Sequence, residues 1–301
     1  MEGSAGGDVV DRGDPRVILE HAGLPSRGVA MWLNAKPQFR DKFKRDAATG
    51  TRFWRGGTSL LAKLPKKPLR TPEQQLAADI ILFRCRDARE RFLTAHAESV
   101  YRKLTNKLEN FLRVDELAYE AAKLVPGLAP TQRQVNAESR LMQSEKDGVE
   151  IDQGIFLAQV LAIPETGMHL CHAMLRPKME SIERVREFIS NDVIDFGPAK
   201  VERQGKAAVV TVKNPRFLNA EDDDTLDDTE TAADIAIMDP MSEICVLRGG
   251  VVDHPKYNGR KVFSAGINLT HLYRGKIPYL WYIRRDMGVV NKILRGLAMP
   301  G

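Results

Sequence analysis

The chain has 301 residues, 43% of them hydrophobic and 28% charged, the composition of a globular protein of about two domains rather than of a disordered or collagen-like chain. Lys and Arg number 45 against 40 Asp and Glu, so the net charge of +5 is too small for the whole-molecule field to hold a polyanion. Three cysteines, Cys85, Cys171 and Cys245, form no CxxC pair, which excludes a disulfide framework or zinc ribbon and fits a reducing compartment.

Residues 1–14 have no apolar stretch of the kind a signal peptide needs, and the longest apolar run, 155–163, is about half of the ~18 residues of a membrane span. A cytoplasmic protein without membrane contact is expected. Residues 36–70 hold eleven Lys/Arg and two Asp, interleaved with Phe39, Phe43, Phe53 and Trp54. Basic and aromatic residues together are one footprint of nucleic-acid binding, but Gly50, Gly56, Gly57 and Pro65 interrupt the block and it carries no nucleic-acid motif. No nucleic-acid partner is expected, and residues 1–70 read as a basic, partly ordered N-terminal arm.

No Gly or Pro occurs over 73–125, and Thr71-Pro72-Glu73 supplies an N-cap, a first-turn proline and a first-turn acid, so one long helix or two begin there. Leu76, Ile80, Phe83, Tyr101, Leu104, Leu108 and Phe111 recur at three- and four-residue spacing, as a buried stripe does. Pro126-Gly127 ends the pattern, Thr131 with Gln134 makes a capping box for the next helix, and Asp147-Gly148 interrupts that one. A helical domain is expected over 71–196. Within it, His169 and His172 flank Cys171 at ligand-like spacing, but Glu165 is the only nearby acid and no HExxH or facial triad completes a site; the alternatives are an incomplete metal site and a packed helix.

After Asn191 the pattern changes, and Gly197-Pro198 marks a boundary. The β-branched run 207–212 reads as a strand, 244–247 before Gly249-Gly250 as a second, and 262–264 before Ala265-Gly266 as a third. Between the first two, 220–238 reads as a helix with seven acids within 221–230. Leu226 stands where a calcium loop needs its third oxygen ligand, so the acids are assigned to the positive end of the helix dipole. A last helix is expected over 278–295. The fold class is α+β or α/β, with no GxGxxG and no P-loop.

Asn214-Pro215, Asn219-Ala220 and Phe263-Ser264-Ala265-Gly266, in this order of elements, resemble the crotonase (enoyl-CoA hydratase) superfamily over about residues 200–296. The blocks 214–222, His254-Pro255-Lys256-Tyr257, 264–269 and Arg284-Arg285, with a long helical extension ahead of them, are closest to its dioxygenase branch, which acts on (3,5-dihydroxyphenyl)acetyl-CoA in glycopeptide-antibiotic pathways. The resemblance implies a helical N-terminal domain followed, over 197–301, by the first part of a ββα-type crotonase fold. It implies Glu221 as the base and the Ile267 N–H as an oxyanion donor beside Gly266, where a glycine lets the backbone approach a ligand. It further implies Arg285 as a substrate-site arginine, and Arg216, His254, Pro255, Lys256, Tyr257, Ala265, Gly266, Ile267, Asn268, Leu269 and Thr270 as contacts to substrate or CoA. From the residues alone, the alternatives are a helix-cap acid for Glu221 and a surface helix charge for Arg285.

The reaction implied uses no metal and no organic cofactor: an acyl-CoA thioester and O2 give 3,5-dihydroxyphenylglyoxylate and CoA. Members of the family form trimers or hexamers and continue with a segment that supplies a second oxyanion N–H, so the resemblance implies that a C-terminal part is lacking here. A crotonase-type hydratase, isomerase or thioesterase, or an inactive fragment serving as an assembly partner, are the alternatives.

Overall fold

The computed structural model describes residues 13–298; residues 1–12, the start of the expected arm, and residues 299–301 lie outside the described residues. The chain divides into two compact units, the first comprising Met1–Asn110, Leu117–Val135 and Glu145–Thr166, the second Phe111–Glu116, Asn136–Ser144 and Gly167–Gly301. The units thus divide elsewhere than at the expected boundaries, 70 and 196.

The first unit is helical, with Pro15–His21, Ser26–Asn34, Phe43–Leu61, Pro72–Leu104 and Ile151–Ala162 as its main elements. The expected arm is therefore ordered from residue 13 onward, and its aromatics are the reason. Trp54 is fully buried edge-on to Phe92 at 5.7 Å, Phe39 meets the same ring at 5.5 Å, and Trp32 stacks on Phe53 at 5.1 Å. The glycines that suggested breaks lie inside the helix Phe43–Leu61 and make room for neighbours: a Cβ on Gly56 would lie 2.8 Å from the Trp32 ring, and one on Gly57 would collide with the Cys85 sulfur. Burial pushes that thiol up to about 11.

Thr71 caps the helix Pro72–Leu104 as expected, with reciprocal bonds to Gln74. The stripe stops short, because Asn106, Lys107 and Leu108 take positive φ of 46°, 58° and 75° and end the helix at a turn held by the Thr105 hydroxyl. Leu108 and Phe111 fall outside any helix, and Phe83 is exposed.

The second unit holds a four-stranded sheet in the order β1-β2-β3-β4: Val193–Asp195, Ala199–Gln204, Ala207–Val212 and Ile244–Gly249. β1, β2 and β3 pair antiparallel; β3 and β4 are parallel, Val210 opposite Leu247, joined by the helix Asp223–Met238. β3 is buried along nearly its whole length, and its Ala208 and Val210 pack with Val201, Ile235 and Phe188. β1 and β2 escape sequence reading because Lys200, Glu202 and Arg203 interrupt the apolar positions, leaving Gly197-Pro198 in the turn between two strands rather than at a domain boundary. The expected strand at 262–264 does not form; only isolated bridges flank it, Val251–Lys261 before it and Glu221–Ile267 after it. Among the described residues no single helix is long and apolar enough to cross a membrane.

Candidate active site

β3 delivers the chain into a turn whose two asparagines consume their side chains in tying loops together. Asn219, fully buried and left-handed at φ 55°, accepts from the Asn214 N–H at 2.8 Å and donates to the carbonyls of Gly250 and Val262, both at 2.8 Å. Asn214 donates to the Ala220 carbonyl and to Asp222, both at 2.8 Å. The turn therefore fixes Glu221 against the 250–267 loop. The Glu221 N–H donates to the Gly266 carbonyl at 2.8 Å, and the Asn268 N–H to the Glu221 carbonyl at 2.9 Å. Gly266 has φ +87°, a conformation that favours glycine, and nothing lies within 4 Å of the position a Cβ would take. Among the described residues, no group accepts the Ile267 N–H.

The helix Tyr279–Arg284 passes at Arg285 into a π turn, Arg285–Val290, before resuming as Asn291–Arg295. Arg285 holds Glu221 with two nitrogens, Nε on Oε2 and Nη2 on Oε1 at 3.1 Å, while Nη1 donates to Asp286 at 2.7 Å. The bond to Glu221 raises the guanidinium pKa further above its usual value. This pair stands at a mostly apolar cavity of about 270 Å³, whose walls include Leu226, Leu247, Phe263, Ser264 and Val289. Three segments far apart in sequence, around 221, 264 and 285, thus meet at one cavity.

Other expected contacts stand elsewhere. Ile267, Ala265 and Gly266 do not line the cavity, nor do Leu269 and Thr270, both exposed. The Asn268 side chain caps the short helix Leu269–Tyr273 and donates to Asp222 at 2.8 Å. Arg216 is exposed on a 3-10 turn. His254, Pro255, Lys256 and Tyr257 form a tight loop in which the Lys256 ammonium lies 5.3 Å from the Tyr257 ring centre, with the His254 ring 5.5 Å from that of Tyr257.

The acidic run, read as a helix-dipole feature, has a second role that sequence reasoning missed. Asp227 pairs with Arg284, and Lys292, completely buried, hydrogen-bonds Glu230 at 2.7 Å and forms an ion pair with Asp234 at 2.8 Å. Arg113 bonds Glu230 at 2.6 Å. With Glu221–Arg285, the pairs made by Arg284 and Lys292 tie the acid-bearing segment to the helical run 279–295. Burial opposes charge on Glu230, but Arg113 and Lys292 outweigh it and hold the carboxyl below its usual range; at Asp234 burial prevails and the carboxyl is raised. A signal was present in the four-residue spacing of Glu230 and Asp234, but nothing in the sequence singles out Lys292 as their partner.

Candidate metal ligands also come together where spacing did not show them: Asp222, Asp224 and His271 bring ligand atoms within 4.8 Å of one another. Two of these are already engaged, Asp222 by Asn214 and Asn268, His271 by Asp223 at 3.0 Å. The His169 and His172 rings lie 4.6 and 5.2 Å from that of Phe111, and with Cys171 they border a separate cavity of about 660 Å³.

No protein-family model matches the chain. It is 46% identical over 243 residues to a curated protein, the (3,5-dihydroxyphenyl)acetyl-CoA 1,2-dioxygenase of Amycolatopsis orientalis, an alignment that covers 80% of this chain. The chain spans somewhat over half the length of that relative, 56%.

Proposed function

We propose that the protein is a dioxygenase of the crotonase type that oxidises an arylacetyl-CoA thioester, (3,5-dihydroxyphenyl)acetyl-CoA, with O2 to the arylglyoxylate and free CoA, without a metal or organic cofactor. The observation that carries the reading is the meeting of Glu221, Arg285 and the Phe263-Ser264 segment at one apolar cavity, in a chain 46% identical to a dioxygenase of that name.

Arg285 binds both oxygens of Glu221, which fixes the carboxylate's direction; the pair has to open on at least one side for Glu221 to take a proton from the substrate Cα. The thioester oxygen, negative once that proton leaves, is assigned to the Ile267 N–H, which stands beside Glu221 at the edge of the cavity rather than in its lining and which no described group accepts; a donor of this type is worth roughly 3 kcal/mol of barrier. The carbanion passes one electron to O2, an apolar molecule for which the mostly apolar cavity is a favourable environment. The two radicals join as a Cα peroxide, whose outer oxygen attacks the thioester carbonyl and expels CoA thiolate. The O–O bond then breaks as the second Cα hydrogen leaves as a proton. Both oxygen atoms end in the keto acid, so no external reductant is needed. The loop at His254, Lys256 and Tyr257, with Arg216, is assigned to CoA, and a cytoplasmic homo-oligomer, trimer or hexamer, to the assembled enzyme.

Oxygen uptake measured together with thiol release over a panel of arylacetyl-CoA and alkyl-CoA thioesters tests the reading. One O2 consumed per CoA, with arylacetyl substrates preferred, is expected. CoA release without O2 consumption would make the protein a thioesterase instead. Turnover is expected to survive exhaustive chelation; a stoichiometric transition metal whose removal stops O2 uptake would overturn the cofactor-free mechanism.

A further inference from the structure

We propose that Lys292 is a positioning residue: by binding Glu230 and Asp234 at once it holds the π turn Arg285–Val290 in register and so keeps Arg285 on Glu221. The consequence for turnover rests on the function proposed above; the structural claim does not.

An ammonium shared between carboxylates four residues apart on a facing helix fixes both the height and the rotation of its own helix. Lys292, Glu230 and Asp234 are wholly buried, and with Arg113 the four formal charges cancel. Such a buried set adds little net stability over apolar residues of the same volume, so its use here is specificity of arrangement. What needs specifying is the π turn, whose hydrogen bonds are poorer than those of an α-helix. Relaxing it to α geometry shifts the register by one residue, which turns Arg285 by about 100° relative to Lys292. That rotation would break the two-point contact with Glu221.

Gly288, in the middle of the π turn, packs directly on the buried Glu230 carboxylate, where a Cβ would lie 3.0 Å from Oε1. The same carboxylate thus holds Lys292 and seats the turn that presents Arg285.

The test reads Arg285 itself. Solvent exchange of its Nε–H, resolved by nitrogen-15 NMR, reports the bond to Glu221 whether or not the enzyme turns over. The variant Lys292→Met/Asp234→Asn keeps the Glu230–Arg113 pair and the overall charge balance, so it is expected to melt close to the wild type. Its Arg285 Nε–H is expected to exchange about tenfold faster or more, and O2-dependent CoA release to fall about tenfold or more, the scale of a misplaced contact group. Lys206→Met, which removes an exposed pair with Glu243, is expected to change neither. Should the double variant not fold, Gly288→Ala tests the same claim by pressing a methyl on Glu230, with the same signature expected. Wild-type exchange at Arg285 in a folded variant of either kind overturns the proposal. A wild-type protein that consumes no O2 defeats the functional reading alone and leaves the exchange result to decide.

Discussion

Glu221 differs from the other six acids of its run in what both of its oxygens face: a guanidinium fork on one side and an apolar cavity on the other. Glu221→Gln keeps the shape but offers the fork only one acceptor oxygen and cannot take a proton. Turnover is expected to fall about 100-fold or more, the usual scale for loss of a general base. Asp224, exposed three residues on, is the matched control, and Asp224→Asn is expected to leave CoA release near wild type. Equal losses from the two would remove any special role for Glu221. A loss confined to Asp224→Asn would point instead to the group it forms with Asp222 and His271.

Helices in this protein are ordered by contacts that their intrinsic propensities do not favour. Phe43–Leu61 contains Gly50, Gly56 and Gly57, each a destabilising choice within a helix. Their return is close approach, since a Cβ on Gly50 would lie 2.7 Å from the Trp54 ring and one on Gly57 would collide with Cys85 of Pro72–Leu104. Gly57→Ala is therefore expected to destabilise the protein by about 1–3 kcal/mol through overpacking, despite alanine's better helix propensity. Chemical denaturation measures it; a rise in the midpoint would show that the two helices part without strain. Propensity was legible in the sequence, and so were the caps at Thr71 and Thr131, because a cap is a contact between residues three apart. The break at Asn106–Leu108 was not, since three consecutive left-handed residues without a glycine carry no composition signal.

Acid response gathers these local charges into one property of the whole chain. Asp46, Asp195, Glu202, Glu230 and Asp239 all sit below their ordinary range in the folded state, while Asp234 and Asp228 are raised by burial. A depressed carboxyl contributes stability above its unfolded value, about 4, and loses it as pH falls through the folded value. A raised one contributes in the opposite sense, so acidification relieves a cost at Asp234. The depressed group is larger, and stability is expected to be flat from neutrality to about pH 5 and to fall below it. At Asp239 burial opposes the charge, but Arg203, at 2.9 and 2.8 Å, and the Ser242 hydroxyl outweigh it. Asp239→Asn is expected to lower stability at pH 7 and to flatten the acid limb of the profile. An unchanged slope between pH 5 and 3 in thermal melts would show that this carboxyl is not among those that carry it.

The sequence by itself determined what depends on neighbours a few residues apart: helices from about residue 71 to 191, the strands at 207–212 and 244–247, and the helix between them. It also held the family-like blocks around 214, 254, 264 and 284, which no periodicity would have selected. Only the tertiary structure decided which charges meet. Glu221 finds Arg285 across 64 residues and Lys292 finds Glu230 across 62, and any of the neighbouring acids has the same local chemistry. The reason is that an ion pair's identity lies in how two distant segments are placed: Glu221 stands in a turn ahead of the helix Asp223–Met238, and Arg285 begins a π turn. A π turn is one residue of register that leaves no mark in the hydrophobic pattern. The same holds for the glycines of the first unit, which read as breaks until the tryptophans and the cysteine that they accommodate stand beside them.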